Sequence, residues 1–175
     1  MIRQEEISNQ YILSTAMAMA SAARTAPKAR GVDNLTIAIC DKDDIAIISK
    51  QLEKDYKEFN QEFLLRDSQN ILNATYLLLI ATKVEVLGLD CGYCGFATCL
   101  DKNKAGKKIP CFFNAEDLGL SVGSAVSVAM ERRVDNRIMF SAGRAALRAG
   151  LLENNSQCLA IVLSATNKNP FFDRK

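Results

Sequence analysis

Four cysteines lie close together as Cys91-Gly-Tyr-Cys94-Gly-Phe-Ala-Thr-Cys99 and, after a gap, Ile109-Pro-Cys111, a spacing of C-x2-C-x4-C-x11-C. Thiolates at that spacing are metal ligands. Three from one tight loop can hold three corners of a cubane, and a fourth arrives from a more distant turn. Gly92 and Gly95 let backbone amides bend toward cluster sulfurs with no Cβ in the way, as in an anion nest. Three other readings compete. Structural zinc accepts four thiolates but usually takes two short Cys pairs. A redox C-x-x-C needs a strand–helix context that the surrounding glycines do not supply. Packed, unreactive cysteines fit poorly with so dense a group beside glycines and lysines. The spacing favours a [4Fe-4S] cluster on Cys91, Cys94, Cys99 and Cys111. Lys102, Lys104, Lys107 and Lys108 fall in the gap before the last ligand. They read either as cations beside a negative cluster, forming a docking face for an acidic electron-transfer partner, or as a solvated surface loop.

The rest of the composition narrows the chemistry. Histidine is absent, which removes Ser-His-Asp and Cys-His triads, His-ligated zinc and imidazole acid–base catalysis. The net charge of +2, with no basic stripe interleaved with aromatics, argues against nucleic-acid binding. No apolar run reaches the roughly 18 residues of a membrane span, and the N-terminal residues do not read as a signal peptide. A soluble, cytoplasmic protein is expected. In that compartment six cysteines favour metal ligation over disulfides. Cys40 and Cys158 border apolar strands and read as ordinary buried thiols.

The elements that must position these residues follow from periodicity. Residues 4–24 predict an Ala-rich helix, broken by Pro27 and Gly31 into a loop at 25–34 that carries Lys28 and Arg30 just after Arg24. Leu35–Cys40 predicts a strand. Asp41 and Asp44 open a helix with Ile45, Ile48, Leu52 and Tyr56 on one face. A polar connection leads to a strand at 74–82, apolar on both faces as in a sheet covered on both sides. Residues 88–111 match neither period and predict an inserted cysteine-rich loop. A central buried helix follows to about Glu131, capped by Asn114 and Asp117. In it Gly119 and Gly123 imply close backbone packing. A helix over about 134–149, with Asp135 and Arg137 in the polar RVDNR turn where it meets the central helix, and a third strand at 158–164 complete an α+β (α/β sandwich) domain spanning residues 1–175. Glu116 and Asp117 at the start of the central helix, and Tyr93 in the cysteine motif, are explained by capping, loop hydrogen bonding and packing.

CGYCGFATC resembles the four-iron–four-sulfur domain of corrinoid iron–sulfur proteins and of the ferredoxin-like subunit of Rnf-type complexes, which share C-G-x-C-G-x-x-[ST]-C; here the gap to the fourth cysteine is shorter. Across nearly the whole chain, AARTAPKARGVDNL (22–35), CGYCGFATC, FNAEDLGLSVGSAVSVA (113–129), RVDNRIMFSAGRAAL (133–147) and SATNKNPFFDR (164–174) resemble a prokaryotic family of uncharacterised ferredoxin-domain proteins. The element order is similar, more distantly, to the flavin-dependent nitroreductase fold. That resemblance implies FMN, with Arg24, Lys28, Lys168 and Arg174 as its phosphate-holding cations, and a homodimer with cofactor sites at the subunit interface. Surface or terminal salt bridges are the competing role for these four residues. The Arg-Arg-Ser-x-Arg segment with which nitroreductases grip FMN has no counterpart before the Ala-rich helix.

These readings converge on an iron–sulfur redox protein, an electron-transfer or oxidoreductase component that passes electrons to a partner protein or second cofactor. The alternative is a non-enzymatic module whose metal, zinc or iron–sulfur, orders the loop for partner binding at the lysines. A third reading, a redox or oxygen sensor, calls for an output domain that the sequence does not reveal.

Overall fold

The computed structural model describes residues 1–106 and 109–172. Among the described residues, six α-helices and four strands follow in the order α1 (Gln4–Thr25), β1 (Leu35–Cys40), α2 (Lys42–Phe59), α3 (Glu62–Ile71), β2 (Tyr76–Thr82), α4 (Cys99–Lys104), α5 (Phe112–Glu131), β3 (Asp135–Met139), α6 (Phe140–Arg148) and β4 (Gln157–Ser164), with a single 3-10 turn at Ala29–Gly31. The strands form one antiparallel sheet in the order β1-β2-β4-β3.

Strand β2 is the sheet's centre because it is apolar on both faces. Its alternate residues serve two cores, as the two-residue strand period requires. Leu77, Leu79 and Ala81 join Ile45, Ile48 and Leu52 of α2, Leu64 and Ile71 of α3, and Ala142, Ala145 and Ala146 of α6. Leu78 and Ile80 join Ile12, Ala16 and Met19 of α1 and Leu118, Val122 and Ala125 of α5. The result is a three-layer sandwich, with α2, α3 and α6 on one face and α1 and α5 on the other. Neither core draws a side chain from residues 83–117. The cysteine segment therefore hangs between β2 and α5, outside both cores.

Several expectations are corrected. The polar connection after α2 contains α3, whose apolar face is only Leu64 and Ile71 with Asp67 and Ser68 beside them. The cysteine loop contains α4, N-capped by Thr98, whose Oγ1 accepts from the Asp101 amide at 3.1 Å. Residues 135–139 are a strand and not the start of a helix. Ladder pairing of Asp135 with Ser164 through Met139 with Ala160 overrides the weak strand propensity of Asp and Asn, and Ile138 is exposed as a result. Helix α5 begins at Phe112 with Cys111 at the N-cap, so Asn114 and Asp117 lie inside it and face inward. It is buried along one face only. Nothing lies within 4 Å of a Cβ built at Gly119 or Gly123. The glycine that is closely packed is Gly143 of α6, where a Cβ would fall 2.1 Å from the Cys158 carbonyl oxygen.

Candidate metal centre

Cys91, Cys94, Cys99 and Cys111 line one cavity, walled by Leu87, Leu89, Phe96 and Phe113. The loop is closed by a reciprocal pair. The Asp90 amide donates to Cys99 Sγ at 3.4 Å, and the Cys99 amide donates to Asp90 Oδ1 at 2.6 Å. An amide aimed at a cysteine sulfur is the contact that stabilises thiolate charge. Between these two residues the chain doubles back through Gly92 (φ 75°) and Gly95 (φ 86°), with the Gly95 amide bonded to the Gly92 carbonyl at 2.9 Å. Both glycines have open space where a Cβ would stand, so their left-handed conformation is what the turn requires of them. Cys91 is exposed, Cys94 and Cys99 are half-buried, and Cys111 is buried; all four are free thiols. Among the described residues, no three Cys, Asp or Glu side chains converge closely enough to hold a single metal ion. The four thiols thus border one narrow cavity.

Three anchors fix this loop to the body. The Glu85 amide donates to Asn114 Oδ1 at 3.1 Å. Arg30, in a left-handed conformation at φ 58°, donates from Nη1 to the Leu87 carbonyl, and its guanidinium lies against Gly88. The Ala29 amide donates to Asp117 Oδ1 at 3.0 Å, which ties the loop carrying Arg30 to α5. Sequence reading placed Arg30 in a basic loop but could not show that it reaches residue 87. Its only local signal was the Arg-Gly pair, which suits consecutive left-handed residues.

Of the lysines in the gap, Lys102 departs from the expected solvated edge and Lys104 is exposed as expected. Lys102 is 1% exposed. Lys104 pairs with Asp101 at 3.2 Å. Lys107 and Lys108 lie outside the described residues. Exposed apolar groups also stand around the cysteines. Tyr93, 69% exposed, meets Phe112 edge-on at 5.1 Å and Phe113 at 6.2 Å, and Leu89, Leu100 and Ile109 are also open.

The four cations expected to hold a flavin phosphate are occupied or undescribed. Lys28 Nζ donates to the Ala23, Arg24 and Ala26 carbonyls at 3.0, 2.9 and 2.8 Å, capping the end of α1. Arg24 Nη1 pairs with Asp33 Oδ2 at 2.5 Å and donates to the Leu35 carbonyl. Burial pulls the Asp33 carboxyl upward, but Arg24 and the Leu35 amide outweigh it and hold the group below the ordinary carboxylate range. Lys168 is also engaged within the chain, and Arg174 lies outside the described residues. Arg24 and Lys28, as arranged, are thus bonded within the chain. By contrast, the donor set at residues 91–111, four soft thiols with an amide directed at one of them, fits an iron–sulfur cluster.

The fold is that of the nitroreductases. The chain superposes on an FMN-bound nitroreductase of Bacteroides fragilis with a TM-score of 0.64 and 9% identity, covering 93% of this chain and 81% of that one. An FMN-complexed putative nitroreductase of Desulfovibrio desulfuricans gives 0.60 at 12% identity, covering 93% and 78%. A BluB-like flavoprotein of Clostridium difficile gives 0.56 at 18%, covering 93% and 84%. Sequence likeness is more specific. A protein of Archaeoglobus fulgidus, described as uncharacterized, is 32% identical over 181 aligned positions, covering 99% of this chain and 97% of its own. Residues 107–174 match the family described as "uncharacterized protein containing a ferredoxin domain". The chain belongs to that family. No described helix is long and apolar enough to cross a membrane.

Proposed function

We propose that this protein is an iron–sulfur redox protein, binding a [4Fe-4S] cluster through Cys91, Cys94, Cys99 and Cys111 and acting in electron transfer or as the electron-carrying component of an oxidoreductase. The observation that carries the reading is that four cysteines, three from one turn and one from the start of α5, line one cavity. Zinc would draw four thiolates to about 2.3 Å from a single point. Three thiols from one turn with a fourth from the start of α5 suit the corners of a cubane better than the two short Cys pairs usual for structural zinc. Membership in a ferredoxin-domain family supports the same choice. When bound, a cubane supplies one-electron storage. The chain's own residues hold it. Asp90 directs its amide at Cys99, Gly92 and Gly95 make the turn, and Arg30 and Asn114 fasten the loop to the body.

A redox partner protein would meet the face at Tyr93 and Leu100, where exposed aromatic and apolar groups surround the most exposed ligand, Cys91. FMN is the second cofactor that the fold brings to mind, because structural neighbours contain it. Since Arg24 and Lys28 are bonded within the chain, no step is assigned to a flavin.

Anaerobic purification followed by iron, sulfide, zinc and flavin analysis tests the proposal. About four irons per chain are expected, with a visible band bleached by dithionite. Cys94→Ser should abolish loading, whereas Cys158→Ser should leave it intact. A colourless protein with one zinc per chain would replace this reading with the metal-stabilised interaction module.

A further inference from the structure

We infer that Lys102 and Asn114 are placed to face the negative charge of a cluster on the four cysteines, and that they set how readily it is reduced. The inference rests on the iron–sulfur reading and extends it to two residues outside the ligand set. Helix α4 begins at Cys99, and α5 has Cys111 at its N-cap. On each helix the residue three positions after the cysteine is a buried N–H donor: Lys102 and Asn114 are each 1% exposed.

Among the described residues, neither donor has a side-chain partner. Among the described residues no ion pair or side-chain hydrogen bond is formed by the Lys102 ammonium. Asn114 Oδ1 holds the Glu85 amide, while its Nδ2 is buried without an acceptor. A buried ammonium without a counter-ion and a buried amide without an acceptor are both costly, and a fold retains them only where something compensates. Residues i and i+3 share a helix face, and helical side chains lean toward the N-terminus. Lys102 therefore leans over the turn of Cys99, and Asn114 over that of Cys111. A four-thiolate cluster is an anion that both donors can share. Lys102 lines a recess with Val84, Glu85, Val86 and Asn103, where the Glu85 carboxylate or a small anion is the competing partner.

The test uses the full chain, purified anaerobically, as wild type, Lys102→Met, Lys102→Arg and Asn114→Asp. The last change keeps the acceptor for Glu85 and removes the donor. Three quantities are read: iron and sulfide per chain, midpoint potential from the visible absorption, and the melting temperature of cluster-free protein. Lys102→Met should disfavour reduction at least tenfold, a shift of about 59 mV to more negative potential for one electron. Asn114→Asp should move the same way, and Lys102→Arg should stay near wild type. Cluster-free Lys102→Met should melt no lower than wild type, because an uncompensated buried charge has gone. Unchanged potential in fully loaded Lys102→Met would overturn the inference and leave the ligand set standing, and it is also the result a small anion in the recess would give. A lower melting temperature of cluster-free Lys102→Met would likewise overturn it, by making Lys102 a residue satisfied inside the chain. Wild-type protein without iron and sulfide would remove the ligand set and this inference together.

Discussion

At the scale of single residues, the six cysteines divide by environment. Burial pushes the Cys40 thiol up to about 12, with Asp44 and Asp41 adding to the effect, and burial followed by the neighbouring charge of Cys40 does the same for Cys158. Such thiols stay protonated and unreactive. In cluster-free native protein at about pH 8, an alkylating reagent should modify Cys91, Cys94 and Cys99 and spare Cys40 and Cys158 until denaturant is added. Peptide mass mapping reads the outcome; rapid labelling of Cys158 in the native state would contradict its burial. The same thiols make an alkaline prediction. Their folded values lie above the ordinary 9.0, so the stability linked to them is complete below about pH 9 and is lost as pH rises toward about 12. The loss is up to about 1.4 kcal/mol per pH unit for each thiol. Denaturant midpoints measured between those pH values in Cys40→Ala, Cys158→Ala and wild type should show a shallower decline in the variants.

At the scale of elements, the packing of α6 on β4 turns on one glycine. A Cβ at Gly143 would lie 2.1 Å from the Cys158 carbonyl oxygen and 2.6 Å from its carbon, both backbone atoms that cannot rotate away. Gly143→Ala should therefore destabilise the fold by about 3 kcal/mol, at the upper end of ordinary overpacking, as read by urea unfolding. An effect below about 0.5 kcal/mol, the size of an ordinary surface change, would mean that α6 can slide on the sheet. Sequence reading singled out Gly119 and Gly123 for close packing and passed over Gly143. Spacing four apart on one helix is visible in a sequence, but the approach of a strand remote in the chain is not. The misassignment of residues 134–139 has a related cause. Asp135-Asn-Arg-Ile-Met has no strand-forming bias of its own, and it is a strand because β4 offers it an edge.

At the scale of the whole molecule, the face of α5 turned away from α1 carries Leu120 and Met130, the latter 72% exposed, with Gly119, Gly123 and Ser127 also open. Two interior glycines cost roughly 1 kcal/mol each against alanine, and no contact among the described residues accounts for them. We propose that a second copy of the chain packs here, giving the homodimer that the fold resemblance implies. Light scattering should report a dimer for wild type and a monomer with unchanged circular dichroism for Gly123→Arg. A monomeric wild type at micromolar concentration would dismiss the dimer, and Gly123→Ala should then simply stabilise the chain by about 1 kcal/mol.

What the residues determined alone was whatever depends on short spacing. The C-x2-C-x4-C turn with its glycines, the two-sided apolar run of β2, the Asp41 cap of α2 and the exclusion of imidazole chemistry are all local facts, and local facts survive without knowledge of the fold. Tertiary structure decided the roles of groups whose partners lie far along the chain. It buried Lys102, which reads as solvent-facing in any charge pattern, and turned Asn114 and Asp117 from helix caps into anchors for residues 85 and 29. It spent Lys28 on the end of α1 and sent Arg30 to Leu87. The cysteines could be recognised by their spacing; the donors that face them could be found only after two helices, each opening on a cysteine, were folded around one cavity.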